Sequence, residues 1–85
     1  MKHQRRFESA PALREAAQTM ALIADIDRIV QILNSDIAAE EQQAGVFDTS
    51  LANYPMYART LAARRDNLSV TIGALEQRLA ALEHL

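Results

Sequence analysis

Apolar residues recur at alternating steps of three and four along two stretches of this chain. Ile23, Ile26, Val30, Leu33 and Ile37 form the first series, and Leu61, Leu68, Ile72, Leu75, Leu79 and Leu82 the second, on either side of a break around Gly45. Such spacing puts each series on one side of a helix, where a partner helix can cover it. The expected fold is all-α: two long helices in an antiparallel, coiled-coil-like hairpin, completed by dimerisation or by a partner helix.

Helix boundaries follow from capping chemistry. Ser9 followed by Pro11 marks a helix start, because serine accepts an orphan backbone N–H and proline is tolerated in the first turn. Residues 1–8 are then a basic N-terminal arm, and 9–85 the hairpin. Helix 1 is expected over about 10–44, free of interior glycine and rich in good helix formers, with a length of roughly 45–50 Å at ~1.5 Å per residue. Gly45 offers the left-handed conformation that ends helices, with Val46 and Phe47 placed to fold back over the last turn. The turn is expected over about 45–50, with Asp48, Thr49 and Ser50 as caps for helix 2 over about 51–84. An alternative start near Asn53 sets Pro55 at the first helical position. Gly73, inside helix 2, is either tolerated in a long helix or marks a neighbouring backbone in close approach.

Folding about position 47 pairs residues whose numbers add to about 94 or 95: Ile37 with Tyr57 and Ala58, Leu33 with Leu61, Ile26 with Leu68, Ile23 with Ile72, Met20 with Leu75, and Leu13 with Leu82. Arg65 interrupts these apolar layers opposite Val30, with Asp27 as its expected partner. It is read either as a register-setting charge or as an arginine that meets another protein. Asp36 and Arg59 are expected to form a surface pair. Helix 1 also carries Leu22, Ile29 and Ile32, which widen its apolar arc to roughly 180°, more than one helix covers. This strip is a candidate interaction site, filled by a second copy in a four-helix bundle or by a different protein.

Composition narrows the function further. With 85 residues there is room for one domain, which buries only roughly 60–65% of its unfolded surface and gains from a partner. The absence of cysteine removes disulfides and thiolate chemistry and fits a reducing cytoplasm. His3 and His84 stand at opposite ends of the chain, so no metal or other cofactor site is expected. A net charge of −2 disfavours nucleic acid as the main partner, although Lys2, Arg5 and Arg6 form a short basic cluster in the arm. No apolar run approaches the ~20 residues that span a bilayer. Glu40 and Glu41 are adjacent and diverge by about 100° on a helix, and the serines lack a histidine within reach, so no catalytic residue is assigned. Tyr54 and Tyr57 are expected to pack at the hairpin end or, alternatively, to bind a base or substrate.

The run D-I-A-A-E-E-Q-Q-A-G-V-F-D from Asp36, then Y-P-M-Y-A-R and R-R-D-N-L, resembles the turn region of small alphaproteobacterial flagellar-export coiled-coil proteins. Ile37, Glu40, Glu41, Gly45, Asp48, Tyr54, Pro55, Ala58, Arg64, Arg65, Asp66, Asn67 and Leu68 carry the likeness, which covers residues 36–79. The resemblance implies a helical hairpin acting as a soluble stalk and general chaperone of the type III export ATPase. The expectation is a non-enzymatic, cytoplasmic hairpin that binds protein, itself or an export component, through Leu22, Ile29, Ile32, Tyr54, Tyr57, Arg64 and Arg65. The rival expectations are a structural homodimer and a small regulator whose basic arm binds nucleic acid.

Overall fold

In the computed structural model, which describes residues 9–84, two helices pack against each other, α1 (Ala10–Ala44) and α2 (Met56–Leu82). The basic arm over residues 1–8 lies outside the described residues. The hairpin is a rod with extents of 61 × 18 × 17 Å. Its radius of gyration is 18.4 Å, against about 12 Å for a compact chain of this length. Neither helix is long and apolar enough to cross a membrane.

Ser9 starts α1 from an extended conformation, and its Oγ accepts the Ala12 N–H at 3.1 Å, with Pro11 in the first turn. At the other end Gly45 takes φ +71°, and the N–H groups of Gly45 and Val46 both donate to the Glu41 carbonyl, at 2.8 and 3.2 Å. Val46 packs back onto the core as expected. Phe47 does not: it is exposed, in a stretch after Gly45 without regular secondary structure.

Helix 2 starts later than position 51. The Asp48 carboxylate accepts the Ser50 N–H and hydroxyl at 2.9 and 2.7 Å, and the carbonyls of Asp48 and Leu51 accept the N–H groups of Leu51 and Tyr54 in successive turns. Pro55 then stops any earlier helix: it has no N–H to donate, and its ring pushes Tyr54 away from helical geometry. Pro55 itself is the N-cap, with ψ 127°, one position before its expected place.

The seam keeps its three–four rhythm in both helices. In α1 the buried positions are Ala12, Ala16, Thr19, Ile26, Val30, Leu33 and Ile37, with Ile23 half-buried between them. In the second strand of the hairpin Tyr54, Ala58, Leu61 and Leu82 are buried, while Arg65, Leu68, Ile72, Leu75 and Leu79 are half-buried. Leu13 and Met20, expected in the seam, are instead exposed. Extending the phase of Ile23 toward the N-terminus reaches Thr19, Ala16 and Ala12, so helical phase prevails over side-chain size. The Thr19 hydroxyl is satisfied there by donating to the Glu15 carbonyl at 2.8 Å. The cluster of buried hydrophobic residues lies at the closed end, where Leu33, Ile37, Tyr54, Ala58 and Leu61 meet.

The two glycines respond oppositely to substitution. Gly45→Ala places a Cβ on a left-handed residue and should destabilise by about 1 kcal/mol or more. Gly73 has no atom within 4 Å of where a Cβ would stand, which excludes a close backbone approach among the described residues. Gly73→Ala should stabilise by about 1 kcal/mol through helix propensity alone. Thermal denaturation of both variants checks the pair, and equal midpoints would contradict this account of the turn.

Candidate functional site

One flank of the hairpin is marked by a bond between the helices. Arg78 donates from Nε to Glu15 Oε2 at 2.8 Å, and its Nη2 donates to the same oxygen. Positions seven apart follow one line along a coiled-coil helix. Leu22, Ile29 and Asp36 therefore continue the line of Glu15, while Thr71, Arg64 and Tyr57 continue that of Arg78. The antiparallel register set by Glu15 and Arg78 brings Leu22 level with Thr71, Ile29 with Arg64, and Asp36 with Tyr57. Leu22 and Ile29 are 47% and 40% exposed, and Ile32, at the outer edge of the same flank, is 54% exposed. Neither Asp36 nor Arg64 forms an ion pair among the described residues.

The opposite flank holds polar contacts in its closed half, and the exposed Leu13 and Met20 continue the Asn34 line toward the open end. Arg65 donates from Nη1 to Asn34 Oδ1 at 3.2 Å, and its Nε and Nη2 lie 3.0 and 2.9 Å from Asp66 Oδ1. The expected partner Asp27 is not used. Helical side chains lean toward the N-terminus of their own helix, so Arg65 leans toward the closed end, where Asn34 lies, and Asp27 lies the other way. Arg59 likewise does not pair with Asp36, which lies on the Glu15 line. Its guanidinium stands 5.2 Å over the Tyr54 ring and donates to the Leu51 carbonyl at 3.5 Å. A groove of about 340 Å³ opens here between Thr49 of the loop and Arg59, Arg65 and Asp66 of α2.

The two tyrosines have separate fates. Tyr54 is 5% exposed and its hydroxyl donates to Glu41 Oε2 at 2.7 Å, whereas Tyr57 is 58% exposed. Tyr57 thus does not join Ile37, whereas Ala58 does, with Tyr54 in the same cluster. Of the seven residues singled out from the sequence, Leu22, Ile29, Ile32, Tyr57 and Arg64 share one flank, and Tyr54 and Arg65 belong to the closed end and the other flank. The Tyr54–Glu41 bond does not stand out in the sequence, where Glu41 reads only as one of two adjacent, diverging carboxylates. Its signal was the register, since these two numbers also add to 95.

Among the described residues no group of three or more His, Cys, Asp or Glu could hold a metal ion. Comparison with protein-family models, with curated proteins and with solved structures finds no match.

The hydrogen bond to Glu41 raises the pKa of Tyr54 above the usual tyrosine value, with burial and the Glu41 charge acting in the same direction. The folded state therefore holds this proton more tightly than the unfolded chain does. The resulting stability is fully present below about pH 10 and is lost as pH rises beyond it. Thermal midpoints measured across pH 9–12 should fall for the wild type, and Tyr54→Phe should lower the midpoint at neutral pH and flatten that fall. A Tyr54→Phe variant with the full alkaline decline would contradict this assignment.

Proposed function

We propose that this chain is a non-enzymatic protein-interaction hairpin that adds a helical surface to another protein chain through the flank carrying Leu22, Ile29 and Ile32. The observation that carries this reading is the exposure of three large aliphatic side chains on one flank of a helix whose seam is already covered. Water-facing aliphatic rows of this kind mark sites where another surface docks, and an amphipathic helix is the partner such a row accepts. The polar neighbours on this flank, Tyr57 and Arg64, supply orientation. The closed end, held by Gly45, Tyr54 and Glu41, keeps the two rows in register.

The resemblance to flagellar-export hairpins supports a component of a type III export system as the partner class. Its matching residues include Ile37, Glu41, Gly45, Tyr54, Ala58 and Arg65, which here close the hairpin and cap its turn. The likeness thus speaks for a shared way of closing the rod, and the choice of partner falls to the flank beyond it.

Leu22→Glu combined with Ile29→Glu should leave the helical circular dichroism intact and remove association, whether seen as self-assembly in sedimentation or as retention of an export component on immobilised protein. The expected loss is at least tenfold in affinity, as charge replaces apolar area at the centre of the contact. A double variant that associates like the wild type would overturn the proposal.

A further inference from the structure

The groove between Thr49 and α2 owes its shape to the spacing of residues along the helix. Arg59, Ala62, Ala63 and Asp66 share one face of α2, and the two alanines leave room between the longer side chains on either side of them. Tyr54 and Arg65 complete the lining. Two of the charged groups there, Arg65 and Asp66, hold each other, and Arg65 also donates to Asn34. Arg59 is different. It has no ion pair among the described residues, and only its Nη2 donates, at 3.5 Å, to the Leu51 carbonyl. Its guanidinium stands 5.2 Å over a ring that is itself buried and tied through its hydroxyl to Glu41. Stacking of this kind uses the face of a guanidinium and leaves the N–H fork at its edge for an acceptor. The Thr49 hydroxyl likewise has no hydrogen bond among the described residues.

We propose that this groove binds a small organic monocarboxylate. The Arg59 fork takes the carboxylate, the Thr49 hydroxyl donates to the same group, and the apolar body lies against the Ala62 and Ala63 methyls. A planar carboxylate matches the parallel donors of a guanidinium, and a groove of about 340 Å³ is of the size that small ligands occupy. A phosphate dianion fits less well, because Arg59 is the one cation in the lining without a carboxylate partner, and the Asp66 carboxylate lines the same space.

Benzoate is the probe, with benzamide as its uncharged counterpart and inorganic phosphate as a second anion, each titrated into the isotope-labelled full chain and followed by amide NMR shifts. The expected result is saturable movement of Thr49, Arg59, Ala62 and Ala63 with benzoate, none with benzamide, and binding of phosphate at least about tenfold weaker. Arg59→Gln removes the charged fork, and Ala63→Leu fills the groove from an exposed position, so the helices are kept in both. Each should weaken benzoate binding by about tenfold or more with unchanged circular dichroism, whereas Arg78→Gln, on the other flank, should leave it as it is. Shifts that never saturate, that persist in both groove variants, that fall equally in Arg78→Gln, or that phosphate reproduces at the same concentration would overturn the proposal.

Discussion

The unbroken three–four phase of the seam is the constraint from which the rest of this structure follows. Two helices that meet along one line hide a single stripe of each other, whatever else they carry. Here the stripe runs from Ala12 to Ile37 in α1 and from Tyr54 to Leu82 on the returning strand. Its open half is lined by Ala12, Ala16 and Thr19, which leave little apolar area to bury, so cohesion concentrates at the closed end around Leu33, Ile37, Tyr54 and Leu61. Large residues off the stripe, Leu22, Ile29 and Ile32 among them, have no place inside a two-helix rod.

The flanks divide the remaining work. On one side Arg65 reaches Asn34 and Asp66, and Arg59 lies over Tyr54. On the other, Arg78 donates twice to Glu15 across the helices, and Leu22, Ile29 and Ile32 face water beside that pair. Leu13 and Met20 face water on the Asn34 side toward the open end, so both flanks expose aliphatic groups. Tyr54 ties this arrangement to the turn: its hydroxyl holds Glu41, whose carbonyl ends α1 through Gly45 and Val46.

Much of the fold is legible in the spacing of the apolar residues, because phase alone determines which positions meet. The errors arise where size and phase disagree. Leu13 and Met20 are large but out of phase, and alanines and a threonine take the seam in their place. Pro55 announces a boundary, but the turns built by Asp48 and Leu51 decide that nothing helical precedes it. Arg65 was identifiable as a seam charge, whereas its partner depends on the direction in which helical side chains lean. For the candidate site, the width of the apolar arc reveals Leu22, Ile29 and Ile32. That Tyr57 and Arg64 share their flank emerges only after Glu15 and Arg78 fix the register between helices.

The central proposal is that the flank carrying Leu22, Ile29 and Ile32 docks another protein chain. The thermal unfolding midpoint, measured against increasing concentration of the chain itself and of an added export component, tests that most directly, because anything that binds the folded state raises the midpoint by mass action. The account predicts a midpoint that climbs over about a hundredfold increase in one of the two series. A midpoint that stays constant in both would contradict it.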